Sequence, residues 1–130
     1  MLRAYRLAMM LWKSLVAGFA TVAALASLSG CERPTHDPST LKAIRAESAI
    51  LMKLYRVEAD EAVPQTRWPR SIASIAPQMV SINSDGVYIT TKAYFDGGWG
   101  YFVPRQQREL PEPVERFEEV GQGIYWWRPY

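Results

Sequence analysis

The order of hydrophobic and polar residues divides the chain into three parts. Residues 14–30 carry no charge and are mostly apolar. Residues 39–62 contain neither Gly nor Pro, and their apolar side chains recur at helical spacing. From about residue 78 the apolar positions alternate with polar ones, as is typical of β-strands. The pattern therefore predicts an apolar N-terminal segment, one long helix and a sheet.

The predicted helix spans residues 38–62 and begins with Asp37 as N-cap and Pro38 at its first position. One broad apolar stripe should pack on the sheet: Leu41, Ile44, Leu51, Met52, Tyr55, Ala59 and Ala62. A second apolar set lies on the opposite side: Ile50, Leu54 and Val57. A loop, a partner protein or a second copy of the chain could cover this second set, and a weak homodimer is one expectation. Charged residues on the helix flanks, among them Glu47, are expected to be solvated.

The alternating part predicts four mostly antiparallel strands within residues 78–128: 79–83, 87–94, 99–103 and 123–128. A short helix is expected over 71–75. Residues 104–120 hold three Pro residues among charges, which predicts a long exposed loop. The fold class predicted is α+β, in which one long helix packs on a small, mostly antiparallel four-stranded sheet.

The N-terminal segment is typical of an export signal, because basic residues precede its apolar run. The run ends in Leu28-Ser29-Gly30-Cys31. This ending resembles the lipobox of bacterial lipoproteins, in which small residues precede a Cys that becomes the first residue of the mature chain. The resemblance covers residues 1–31. It implies cleavage between Gly30 and Cys31, a diacylglycerol on the Cys31 sulfur, and usually a further acyl chain such as palmitate on the new N-terminus.

An uncleaved membrane span is the alternative, but the segment is shorter and more polar than the roughly 20 apolar residues a span requires. A start at Met9 or Met10 would still leave Lys13 ahead of the apolar run. We therefore divide the chain into a signal peptide (residues 1–30), the lipidated Cys with a short tether (31–37) and a single domain (38–130).

Cleavage changes the charge of the protein. Residues 1–30 hold three of the 15 cationic residues and none of the 13 acidic ones, so the mature part has a net charge of −1. A nearly neutral domain offers no electrostatic basis for binding nucleic acid. Glu32 follows the Cys where, in the family, an Asp would indicate retention in the inner membrane. The resemblance thus implies a protein of the cell envelope that faces the periplasm, with the outer membrane favoured.

One Cys and one His exclude an intramolecular disulfide framework and a structural zinc site. His36 lies in the tether without a recognisable nucleophile beside it, so we expect a solvated side chain rather than a catalytic base. No catalytic constellation is recognisable. We expect no enzymatic activity, no metal and no cofactor.

The aromatic residues are the most distinctive candidates for a binding surface in the mature chain. Alternation along the second strand places Tyr88 and Tyr94 on the face away from Val87 and Ile89. The candidate binding surface consists of Tyr88, Tyr94, Trp99, Tyr101, Tyr125 and Trp127, not all of which need share that face. Alternatively, these rings stabilise the sheet by cross-strand packing, or the charged loop covers them.

From Trp68 onward, the strand Gly-Trp-Gly-Tyr-Phe-Val and the closing Gly-Ile-Tyr-Trp-Trp resemble small uncharacterised bacterial proteins, which implies no named family or activity. The leading hypothesis is a membrane-anchored, non-enzymatic lipoprotein that engages an envelope protein. A glycan or small-ligand binding module is the second hypothesis. The third is an inhibitor or immunity-type protein that acts through its acidic residues from Glu112 to Glu119.

Overall fold

The computed structural model describes residues 33–56, 58–95 and 97–129. The predicted signal peptide, its cleavage site and Cys31 lie outside these residues. The described part contains two α-helices, α1 (Pro38–Leu54) and α2 (Arg70–Ser74). It contains six strands: β1 (Glu61–Ala62), β2 (Met79–Ile82), β3 (Gly86–Tyr94), β4 (Gly97–Pro104), β5 (Phe117–Gly121) and β6 (Ile124–Trp127). The α+β class is confirmed, and no helix within the described ranges is long and apolar enough to cross a membrane.

The start of α1 follows from its local sequence. A carboxylate oxygen of Asp37 accepts a hydrogen bond from the backbone N–H of Thr40 at 2.9 Å, and Pro38 occupies the first turn. The Thr40 hydroxyl also donates to this carboxylate at 2.6 Å, and these bonds lower the pKa of Asp37. The helix then buries Leu41, Ile44, Ser48 and Leu51.

The end of α1 is a correction to the prediction of a helix over 38–62. The helix stops at Leu54, and residues 61 and 62 instead form β1, which pairs with β2. Arg105 Nη1 donates to the Met52 carbonyl oxygen at 3.1 Å and so satisfies one acceptor of the last turn. Because this partner lies 53 residues further along the chain, no local signal marks the end of the helix. Ile50 and Leu54 are exposed, whereas Val57 lies outside the described residues.

The sheet has six antiparallel strands rather than four, in the order β1-β2-β3-β4-β6-β5. The additional strands lie at its two edges. β5 occupies the end of the segment predicted as an exposed loop over 104–120. It pairs with β6 through a two-residue turn, Gln122–Gly123, in which both residues have positive φ (56° and 70°). This geometry belongs to type I′ hairpins, whose usual sequence signal is Asn-Gly or Asp-Gly rather than Gln-Gly.

The core lies between α1 and one face of the sheet. Its sheet residues are Val80, Ile82, Val87, Ile89, Tyr101, Val103, Val120, Ile124 and Trp126. The alternation that predicted Val87 and Ile89 as inward-facing is confirmed, since both side chains are fully buried. From Pro34 onward the chain forms one compact unit, so residues 34–37, predicted as tether, belong to the folded part.

The carboxylate of Glu47 links the two helices. Its Oε1 and Oε2 accept hydrogen bonds from the backbone N–H groups of Ser71 and Ile72, both at 2.9 Å. The short helix α2 has no side-chain cap of its own at Pro69. The expectation of a solvated Glu47 is therefore wrong, because a neighbouring helix supplies donors that the sequence around Glu47 does not reveal.

We expect Glu47→Ala to lower the free energy of unfolding by about 1–2 kcal/mol, because two backbone donors lose a charged acceptor. Urea unfolding of the full chain measures this loss. Glu58→Ala, which removes an exposed carboxylate, is the control and should change stability by less than about 0.5 kcal/mol. Equal stabilities of the two variants would contradict the capping role.

Candidate binding surface on the outer face of the sheet

We call the face of the sheet opposite α1 the outer face. Both helices direct their buried residues into the core on the other side. Strand register defines two rows on the outer face. One row consists of Ser81, Tyr88, Phe102, Tyr125 and Glu119. The other consists of Met79, Thr90, Gly100, Trp127 and Phe117.

Four aromatic rings pack against one another across these rows. The Tyr88 and Phe102 centroids lie 4.6 Å apart, and the Phe102 and Phe117 centroids 5.2 Å. Trp127 meets Tyr88 edge to face at 5.9 Å. Phe102 is fully buried on this face. Part of the aromatic set thus stabilises the sheet by cross-strand packing.

Beside these rings lies an open groove of about 530 Å³, which we call the outer groove. Its lining residues are Asp60, Ala62, Met79, Ser81, Asn83, Tyr88, Thr90, Gly97 and Trp127. Short side chains at Ala62, Ser81 and Thr90 leave space beside the larger Tyr88 and Trp127. The groove crosses the sheet from β1 to β6.

Several polar groups line the outer groove. Asn83 Nδ2 donates to Asp60 Oδ1 at 2.9 Å, while Asn83 Oδ1 accepts from the backbone N–H of Asp85 at 2.9 Å. Burial and the nearby carboxylates of Asp85 and Asp60 raise the pKa of Tyr88 to about 12. A hydrogen bond with Asn83 has the opposite effect and lowers this pKa, but it is the smaller contribution. Tyr88 therefore keeps its proton at neutral pH. The indole N–H of Trp127 is buried and has no hydrogen-bond partner among the described residues.

The structure divides the six predicted aromatic residues between the two faces. Tyr88, Tyr125 and Trp127 lie on the outer face. Tyr101 lies in the core, 4% exposed, and its hydroxyl accepts a hydrogen bond from the backbone N–H of Thr35 at 2.7 Å. Trp99 packs against the core, and the Tyr94 ring lies 5.0 Å from the Trp99 ring.

A bulge in β3 places Tyr94 on the core side and corrects the prediction that Tyr94 shares a face with Tyr88. Thr90 pairs with Gly100 and Lys92 with Trp99, so Thr91 is an additional residue in β3. One extra residue reverses the alternation beyond it. The Thr91 hydroxyl donates to the Trp99 carbonyl oxygen at 3.0 Å, which stabilises the bulge.

The end of the β3–β4 hairpin carries a second aromatic group, the tip cluster, which consists of Lys92, Tyr94, Phe95 and Trp99. Lys92 Nζ lies 5.5 Å from the centroid of the Tyr94 ring and 5.6 Å from that of Trp99. Phe95 is fully exposed and Tyr94 is 44% exposed. Phe95 is absent from the sequence-based candidates, although an apolar residue directly before Asp96-Gly97-Gly98 was an available signal for an exposed turn aromatic.

The remaining candidates of the sequence lie apart from the groove. His36 is exposed, before α1. Part of the acidic segment from Glu112 to Glu119 forms the edge strand β5, where Glu118 Oε2 lies 3.5 Å from Nη2 of Arg128. No group of three or more metal-ligating side chains occurs within the ranges that the structure describes.

Comparisons of the chain with family models, with curated proteins and with solved structures find no match.

Proposed function

We propose that this protein is a lipid-anchored lipoprotein of the cell envelope, and that its domain is a non-enzymatic module that binds another envelope protein in the outer groove. The observation that carries this proposal is an open groove of about 530 Å³ on the sheet face opposite both helices. Tyr and Trp, which line it, are the residues that most often anchor protein interfaces.

The shape and lining of the groove favour a protein partner. Ala62, Met79, Tyr88 and Trp127 provide apolar contact, and the groove lies open along the sheet from its β1 edge. A segment of polypeptide can lie across such a surface, whereas small molecules usually bind in enclosed cavities. Polar groups at Asp60 and Asn83 can fix the orientation of the segment.

The anchor part of the proposal rests on the lipobox ending at Cys31. Acyl chains contribute roughly 0.8 kcal/mol of membrane affinity for each buried CH₂ group, so two or three chains hold a protein stably without help from the folded part. The compact unit begins at Pro34, only three residues after Cys31. The domain would thus remain close to the bilayer and face the periplasm, and Glu32 favours the outer membrane.

Photo-crosslinking in intact cells tests the binding surface. A photoreactive amino acid at Ala62, an exposed residue of the groove, should give a discrete protein adduct. The matched control is Ala46, an equally small exposed residue on α1, which should give none. Adding Ser81→Trp, which fills the groove, should reduce the adduct at position 62 at least tenfold. Equal adducts at the two positions, or insensitivity to Ser81→Trp, would contradict the proposal.

A specific observation favours a glycan as the second candidate ligand. Tyr88 and Trp127 line the same groove as Asp60 and Asn83. Hydroxyl groups of a sugar could pair with the Asp60 carboxylate and the Asn83 amide, and the aromatic rings can contact its apolar face. Tryptophan fluorescence of the full chain should then change saturably with envelope sugars. A flat response across a sugar panel would exclude this candidate.

A further inference from the structure

The tip cluster remains outside the binding surface proposed above. Phe95 exposes its entire side chain, with Tyr94 and Trp99 behind it and Lys92 over both rings. Aromatic rings with a nearby Lys are the side chains that concentrate at the headgroup level of membranes, because that region accepts both apolar rings and polar groups. The cluster therefore has the composition of a surface that enters a lipid interface.

The position of the N-terminal residues of the domain adds an independent argument. The backbone N–H of Thr35 donates to the Tyr101 hydroxyl at 2.7 Å, which fixes Thr35 above β4. Tyr101 lies four residues from Gly97, which begins β4 next to the tip, a distance of about 13 Å along a strand. Cys31 lies four residues before Thr35, and four residues of extended chain span at most about 14 Å. This short chain keeps acylated Cys31 close to the domain, so the tip, which lies at one end of β4, is within reach of the same bilayer.

We infer that the tip cluster is a second membrane contact, in which Phe95 and Tyr94 enter the interface of the bilayer that holds acylated Cys31. This inference rests on the lipid anchor proposed above. The lipid anchor and the tip cluster together would fix the orientation of the domain relative to the bilayer, whereas the anchor alone would leave the domain free to rotate. The strands β3 and β4 then rise from the bilayer, and the far end of β3 at Gly86 stands about 26 Å above the tip.

The contact depends on the aromatic rings more than on charge. Lys92 adds one positive charge, and Asp96, which follows Phe95 in the sequence, carries the opposite one. We therefore expect similar insertion in vesicles of neutral lipid and in vesicles that contain anionic lipid. A contact that required anionic lipid would indicate electrostatic adsorption instead, and would overturn the inference.

A fluorescent probe of depth tests the inference in the full, lipidated chain. Cys31 is the single Cys and its sulfur is consumed by acylation, so an introduced Cys takes the only label. Ala93→Cys places an environment-sensitive dye on the tip, beside an unaltered Phe95. Leu54→Cys is the control, because Leu54 is exposed at the end of α1 near Arg105, remote from the tip. Nitroxide lipids in the vesicles should quench the dye at position 93 at least threefold more than the dye at position 54.

Adding Phe95→Ser to the Ala93→Cys chain should remove most of this difference. Equal quenching at positions 93 and 54, or quenching at 93 that survives Phe95→Ser, would overturn the inference. The number of dyes bound separates this outcome from failure of the anchor, since a chain with a free Cys31 takes two dyes. A chain that takes two dyes would contradict the lipid anchor, and with it the inference that depends on the anchor.

Discussion

Replacing Cys31 with alanine is expected to abolish incorporation of labelled fatty acid into the protein and, with it, lipid-dependent retention in the membrane fraction. The effect should be complete, because the sulfur is the atom to which the diacylglycerol is attached in the lipobox reaction. The loss of each acyl chain removes roughly 0.8 kcal/mol of membrane affinity per CH₂ group, so no surface contact of the folded domain could compensate fully. Metabolic labelling followed by fractionation of the envelope measures both effects.

The control for this experiment is Ser29→Ala, which keeps a small residue two positions before Cys31. It should be labelled and retained like the unchanged protein. Full labelling of Cys31→Ala would show that the lipid is attached to another residue and would contradict the proposed anchor. Absence of label from both chains would contradict the anchor as a whole.

Gly100→Ala is expected to be strongly destabilising, because Gly100 lies directly against the backbone of the neighbouring strand β3. A Cβ at position 100 would overlap the carbonyl oxygen of Ile89 and lie 2.9 Å from the Cα of Thr90. Both obstructing groups are backbone, so the two strands must separate and lose hydrogen bonds beside the bulge. We expect a loss of about 3 kcal/mol in the free energy of unfolding, the upper part of the range for overpacked interiors.

Gly97→Ala separates this steric effect from that of backbone strain. Gly97 has a φ of 133°, but a Cβ there would meet only Pro129 Cβ at 3.7 Å, an ordinary contact. Its cost should therefore be about 1 kcal/mol. Urea unfolding of the full chain, followed by tryptophan fluorescence, measures both variants. Gly100 lacks the positive φ of Gly97, so equal losses in the two variants would contradict the close approach of the strands as the main cost at position 100.

The parts of the fold that local sequence determines were predictable. Asp37 and Pro38 identify the start of α1, since a cap and a first-turn proline act within a few residues. The positions of Leu41, Ile44 and Leu51 follow from helical periodicity, and all three are buried. These features depend on neighbours in the chain, which the sequence displays directly.

The features that failed depend on distant partners. The end of α1 involves Arg105, and the two-residue strand β1 exists only because β2 offers it a partner. The edge strand β5 begins in a stretch rich in Pro and charge, and its polar residues are compatible with an exposed edge. Local secondary-structure propensity cannot predict any of these pairings, because each depends on residues that are distant in the sequence.

Only part of the candidate binding surface could be predicted, because strand alternation is visible in the sequence whereas a bulge that interrupts it is not. Alternation correctly assigned Tyr88 to the outer face, and Tyr125 and Trp127 share that face. The bulge at Thr91 moved Tyr94 to the other side, and no feature of the sequence announces a bulge there. The outer groove itself owes its volume to the small residues Ala62 and Ser81, which a search for aromatic residues passes over.

The anchor at Cys31 is the central claim, since the proposed location, the short tether and the inferred second membrane contact all depend on it. Its most direct test is the mass of the N-terminal peptide of the protein isolated from its native membrane. We expect a peptide that begins with Cys31 and carries the added mass of a diacylglycerol, with or without a further acyl chain. A peptide that retains residues before Cys31, or one that begins with an unmodified Cys31, would contradict the account.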